Sequence, residues 1–149
     1  FVDKHVDKMN EVLKKINFDY VQLHGHENND YIKYIKKNNI KIIKVLSIKN
    51  KNDFKNISQY KDADMYLFDY KPKKSELPGG NAKKFDWKLL KDLEINKNWF
   101  LSGGINCNNI NYIKKFTIPY GIDISSGVEV KPGIKSNKKI ISLMNAYEK

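Results

Sequence analysis

Short apolar runs alternate with amphipathic stretches along the whole of this 149-residue chain, and few folds accommodate that rhythm. Val6, Met9, Val12, Leu13 and Ile16 recur at helical spacing, which predicts a helix over Val6 to Lys15. Tyr20 to Leu23 reads as a strand, Asp30 to Asn38 as a helix with Ile32 and Ile35 on its apolar side, and Ile40 to Leu46 as a strand. A short helix is expected over Asp53 to Tyr60, then a strand over Met65 to Phe68. After a long loop come helix Trp87 to Leu93, strand Trp99 to Leu101, helix Asn108 to Phe116, strand Tyr120 to Ile124 and helix Asn137 to Tyr147. Such alternation implies an α/β protein with a parallel sheet wrapped by helices. No Pro/Gly-rich linker interrupts it, so residues 1–149 are expected to form one domain.

Two parallel architectures compete, an open doubly wound sheet and a closed (βα)8 TIM barrel. A dinucleotide-binding sheet calls for G-x-G-x-x-G after its first strand, and no such run occurs. Polar residues instead follow successive strands: His24, Asp69, Ser102-Gly103-Gly104 and Asp123. Chemistry gathered from many strand ends onto one face is the pattern of a barrel, which is the fold class expected here.

Charge and composition narrow the partners. The net charge is +11, yet all 28 basic residues are lysine, and the guanidinium fork favoured by base readers and phosphate clamps is missing. The lysines are dispersed along the polar sides of expected helices, so a solvated surface is the reading and nucleic acid is not an expected partner. No apolar run approaches the roughly 20 residues of a membrane span, so no membrane is expected either. A single cysteine, Cys107, fits a reducing, cytoplasmic setting. No cluster of metal ligands stands out, and neither metal nor cofactor is expected.

One stretch is chemically distinctive. Gly121-Ile122-Asp123-Ile124-Ser125-Ser126-Gly127-Val128-Glu129, followed by Pro132-Gly133-Ile134-Lys135, reads as a buried strand ending in an acid, a small-residue turn and the start of a helix. Small residues let backbone N–H groups approach a ligand closely, and a phosphate is the natural occupant of such a turn.

Five motifs in order resemble the phosphoribosylanthranilate isomerase family of tryptophan biosynthesis. They are Val21-Gln22-Leu23-His24-Gly25, Leu67-Phe68-Asp69, Gly79-Gly80 ahead of Phe85-Asp86-Trp87, Ser102-Gly103-Gly104-Ile105, and the Asp123 stretch. The resemblance runs from about Phe1 to Ile141 and implies a TIM barrel in which Gln22-Leu23-His24-Gly25 belongs to the fourth strand. On that reading the chain is an N-terminally truncated barrel, running from the end of strand 3 through helix 8. A complete barrel needs at least about 200 residues. The family's general base, a cysteine on the first strand, and its carboxylate-binding arginine would precede Phe1, so these residues alone are expected to be inactive.

The implied reaction is an Amadori rearrangement of N-(5-phosphoribosyl)anthranilate to 1-(2-carboxyphenylamino)-1-deoxyribulose 5-phosphate. The resemblance makes Asp69 the general acid and Asp123 an active-site acid that orients the substrate. It makes His24 a substrate-binding residue on the anthranilate side. Gly79, Gly80, Asn81, Gly103, Gly104, Ser125, Ser126 and Gly127 would hold the phosphate, with Asn81-Ala82 departing from the family's Thr/Ser-Gly. Burial after Tyr66-Leu67-Phe68 would independently raise the Asp69 pKa and favour a proton donor. Cys107 is read as the first residue of a helix capped by Asn106, not as the base. His5 and His26 are read as surface residues. The expected partner is a small phosphorylated substrate, and the assembly a monomer or homodimer. Two alternatives are carried: another phosphosugar barrel, like indole-glycerol-phosphate synthase or an epimerase, and a non-catalytic binder of phosphorylated ligands.

Overall fold

The computed structural model describes residues 1–70, 84–91 and 93–148. Strands β1 (Tyr20–Leu23), β2 (Lys41–Ile48), β3 (Met65–Tyr70), β4 (Trp99–Leu101) and β5 (Gly121–Ile122) form one parallel sheet. Their spatial order is β1-β2-β3-β4-β5, the order of the chain. A doubly wound sheet reverses its strand order at a switch point, whereas barrel winding never does, so the topology is of the barrel type. Phe1 lies along the outer edge of β1: its ammonium donates to the Gln22 carbonyl at 2.7 Å and its carbonyl accepts from His24 N–H at 2.8 Å.

The pleat sorts the strand residues. Val21, Leu23, Ile42, Leu46, Ile48, Tyr66, Phe68 and Leu101 share a core with Met9, Ile32, Ile35, Phe54, Trp87, Ile110 and Ile113 from the segments that cover the sheet. Phe68 is fully buried, with its ring centroid 5.4 Å from that of Phe54 and 5.1 Å from that of Trp99. Truncating such a ring to alanine costs about 3–5 kcal/mol. Alternate residues, including Gln22, Val45, Ser47, Leu67 and Asp69, lie on the opposite face, as the period of two requires.

The covering segments are α1 (Val6–Lys15), α2 (Asn29–Lys36), α3 (Ile110–Ile113) and α4 (Asn137–Glu148), together with 3-10 segments Lys51–Tyr60 and Trp87–Leu90. Three expected helices are therefore shorter or tighter than the periodicity suggests. Around α3 the asparagines compete with the helix: Asn106 Oδ1 accepts from Asn108 N–H and Asn109 Oδ1 from Asn106 N–H, both at 2.9 Å. These local bonds hold the backbone in turns, and only one α-turn forms. Lys91 leaves the helical region after Leu90 (ψ 133°), which ends the Trp87 segment early. The helix expected to follow the Ser125-Ser126-Gly127 turn is a single 3-10 turn, Ser126–Val128, that runs into a hairpin. β6 (Glu129–Lys131) pairs antiparallel with β7 (Ile134–Lys135) across Pro132-Gly133, where Gly133 takes φ 81°.

Candidate active site

The polar strand-end residues converge because the register aligns them. Ser47 pairs with Asp69 across β2 and β3, Ser102 N–H donates to the Phe68 carbonyl at 2.8 Å, and Asp123 N–H donates to the Leu101 carbonyl at 2.8 Å. Ser47, Asp69, Ser102 and Asp123 therefore finish at a common level, and each faces away from the helix-packed core.

Asp69 lies inside β3, one residue beyond the expected strand end, and is 7% exposed. Its Oδ1 accepts from Tyr70 N–H at 2.7 Å. Burial pushes its carboxyl pKa up, against the opposing pull of that N–H and of His24, and the neighbouring Asp123 carboxylate pushes the same way as burial. His24 follows β1 and directs Nε2 toward Asp69 Oδ2 at 3.8 Å, too far for a direct hydrogen bond. That nitrogen is buried and without a protein partner. Burial lowers the His24 pKa, Asp69 opposes this, and Lys44 and the Phe1 ammonium add to the lowering. Asp123, one residue past β5, is exposed.

Two of the predicted glycine turns meet. Gly127 sits so close to the segment after β4 that an added Cβ would lie 1.8 Å from the Ile105 carbonyl oxygen, so no other residue fits without moving backbone. The contact brings Ser125-Ser126-Gly127 against Gly103-Gly104-Ile105, where both glycines have positive φ (90° and 66°). Ser126–Val128 is a single 3-10 turn, and any anion there would rely on individual N–H groups rather than on a helix dipole. Gly79, Gly80 and Asn81 lie outside the described residues. An open cleft of about 500 Å³ adjoins His24, lined also by Gly25, Ser47, Asn56, Gln59 and Tyr60.

Asn106 Oδ1 accepts from Asn108 N–H in the turn after β4, but the helix expected to begin at Cys107 begins at Ile110 with Asn109 at its N-cap, and Cys107 is partly exposed in the turn before it. His5 and His26 are exposed, with side chains 74% and 97% accessible. Among the described residues no group of three or more His, Cys, Asp or Glu side chains is arranged to hold a metal, and no helix is long and apolar enough to cross a membrane.

The sequence reading assigned no role to four charged residues around these loops, two of them (Glu129 and Lys135) within its distinctive stretch. Lys135 Nζ donates to the Ser125 carbonyl and hydroxyl, both at 3.0 Å, and to Glu129 Oε1 at 2.6 Å, bracing the Ser125 turn from the hairpin. Glu27 and Lys44 form an ion pair at 2.8 Å beneath the His24 loop, with side chains 2% and 1% exposed. The signal for Lys44 was its place within the apolar run Ile42-Ile43-Lys44-Val45-Leu46, where a solvated lysine has no room.

Residues 1–146 match the family model described as N-(5'phosphoribosyl)anthranilate (PRA) isomerase. The N-(5'-phosphoribosyl)anthranilate isomerase of Rhizobium johnstonii is 42% identical over 151 residues, covering 99% of this chain and 68% of the relative. Phosphoribosyl anthranilate isomerase from Thermotoga maritima superimposes with a TM-score of 0.83 at 29% identity, over 99% of this chain and 70% of that one. A phosphoribosyl anthranilate isomerase in complex with reduced 1-(o-carboxyphenylamino)-1-deoxyribulose 5-phosphate gives a TM-score of 0.78 at 27% identity, over 99% and 69% of the two chains.

Proposed function

Because the chain belongs to the N-(5'-phosphoribosyl)anthranilate isomerase family, we propose that Asp69 is its general acid, with Asp123 and His24 orienting the substrate. The chain is an isomerase of tryptophan biosynthesis, and its reaction is the Amadori rearrangement of N-(5-phosphoribosyl)anthranilate to 1-(2-carboxyphenylamino)-1-deoxyribulose 5-phosphate. Ring opening needs a proton delivered to the ribose ring oxygen as the C1′–O bond breaks, which leaves a Schiff base. Loss of the C2′ proton then gives an enolamine, and tautomerisation gives the ketone. An acid suited to the first step must still hold its proton near neutral pH.

The observation that carries this assignment is the environment of Asp69: a strand-end aspartate, 7% exposed, whose burial raises its pKa beside a second carboxylate. The unpartnered His24 Nε2, 3.8 Å from Asp69 Oδ2, offers a ligand atom one hydrogen bond at the same spot. The cleft beside His24 suits the aromatic end of the substrate. The touching turns at Gly103-Gly104 and Ser125-Ser126-Gly127 suit its phosphate, with Gly79, Gly80 and Asn81 proposed to join them. Removal of the C2′ proton is not assigned to Cys107, which stands on the turn after β4 rather than at a strand end. A cytoplasmic location, a single barrel-type domain and a monomeric or dimeric state complete the reading, and a solved structural relative is described as dimeric.

Calorimetry with reduced 1-(o-carboxyphenylamino)-1-deoxyribulose 5-phosphate, the ligand of the structural relative, tests the site. Saturable binding is expected and is retained in Asp69→Asn, while isomerisation by the full-length gene product carrying the same substitution is lost. Absence of binding by the folded chain, or full turnover by Asp69→Asn, would overturn the assignment.

A further inference from the structure

We propose that Glu27 and Lys44 are positioning residues for the isomerisation, clamping the loop after β1 so that the His24 ring stays against Asp69. The inference rests on the reading that His24 and Asp69 belong to the active site, and deepens it.

The pair ties three segments together. Glu27 Oε1 accepts from Asp3 N–H at 2.9 Å, and Oε2 accepts from Gly25 N–H at 2.9 Å. Lys44, reaching over from β2, donates to Glu27 Oε2 at 2.8 Å and to the Gly25 carbonyl at 2.6 Å. Both polar groups of Gly25, the residue after His24, are thus held by one buried ion pair. Asp3 belongs to the segment beside Phe1, whose carbonyl accepts from His24 N–H. The approach leaves no slack: a Cβ on Gly25 would lie 2.2 Å from Asp3 Oδ1.

A buried ion pair is a poor means of adding stability, because desolvation of two charges offsets much of their attraction and an apolar pair of similar volume often serves as well. An apolar pair could not bind the N–H groups of Asp3 and Gly25 and the Gly25 carbonyl at once. The arrangement is therefore better explained by where it holds the loop than by what it adds to folding. The pair also lies within electrostatic reach of the ring. The charged groups facing His24 are Asp69 from β3, Lys44 from β2, Glu27 from its own loop and the Phe1 ammonium.

Nuclear magnetic resonance of the His24 ring nitrogens, in the chain labelled with nitrogen-15 histidine, reads this directly and needs no turnover. In Lys44→Met, loss of a like charge and freer access of water both raise the His24 titration midpoint. In the full-length gene product the kcat should fall about tenfold or more, with a smaller change in KM, as expected for a displaced active-site group. Lys44→Arg keeps the charge and should recover part of both. Glu27→Gln, nearly isosteric, should shift the His24 ring signals at fixed pH and serves if Lys44→Met fails to fold. A folded Lys44→Met or Glu27→Gln that lowers only the melting temperature, leaving the His24 signals as in the parent, would overturn the proposal. If the His24 signals respond but the reduced analogue does not bind, the clamp stands and the site assignment fails.

Discussion

Asp69 and Asp123 are the same residue type at the C-terminal ends of two parallel strands on one sheet, yet their surroundings differ. Asp69 is enclosed by β2, β4 and the His24 loop, because β3 continues past it and Ser47 pairs with it across the ladder. Asp123 follows a two-residue strand and stands exposed above a small-residue turn. Strand length therefore separates the two acids: one sits within the hydrogen-bonded ladder and loses its water, while the other stands beyond it. Paired carboxylates divide acid and orienting roles through such differences of environment rather than of chemistry.

The sharpest break of this comparison is substitution by the matching amide at each position. Asp69→Asn keeps the acceptor for Tyr70 N–H but removes the proton, and kcat should fall about a thousandfold. Asp123→Asn should cost less, about tenfold to a hundredfold, as expected of an orienting group. Steady-state isomerisation rates of the full-length gene product check both, and equal losses would erase the distinction. Next in size is Gly127→Ala. The Ile105 carbonyl cannot yield cheaply to a Cβ 1.8 Å away, so the turn must move. Affinity for the reduced phosphorylated analogue should drop about tenfold by calorimetry, with a stability loss of about 1–3 kcal/mol in denaturant titration.

A smaller effect follows from proton linkage. The folded chain holds the Asp69 proton more tightly than the unfolded chain, whose aspartate titrates near 3.8. The stabilisation from that proton is fully present below the unfolded value and is lost as pH rises through the elevated folded value. Asp69→Asn cannot ionise, so at neutral pH it should melt above the parent, with the gap closing as pH falls back through that window. Differential scanning calorimetry across pH reads the trend, and a gap that widens toward acid would contradict it. Smallest of all, Cys107→Ser on the turn after β4 should leave turnover within about twofold, since a partly exposed residue outside the site costs little.

Much of the fold is legible in the apolar pattern where packing has no local competitor. α1, β1 and β4 occupy the spans that periodicity predicts, Val6–Lys15, Tyr20–Leu23 and Trp99–Leu101. The pattern misleads where side chains bind their own backbone, as Asn106 and Asn109 do before α3, or where a short hairpin leaves too few residues for any period, as at Glu129–Lys135. The strand-end residues of the site are equally legible, because a polar residue closing an apolar run is conspicuous. Their solvation is not. The burial of Asp69 depends on β3 reaching Tyr70, two residues beyond its apolar run. Glu27 and Lys44 were hidden by composition, since one lysine among 28 reads as surface unless its place inside a strand is weighed. The meeting of the two glycine turns is a long-range contact and leaves no local trace.

The measurement that bears most directly on the sealed and open aspartates is the titration of Asp69 itself, by carbon-13 resonance of its carboxyl carbon in the folded chain. A midpoint above the ordinary 3.8 is expected, falling when Asp123→Asn removes the neighbouring charge. A midpoint at or below 3.8 would mean that Asp69 is ionised whenever substrate arrives, and the assignment of the general acid would be wrong.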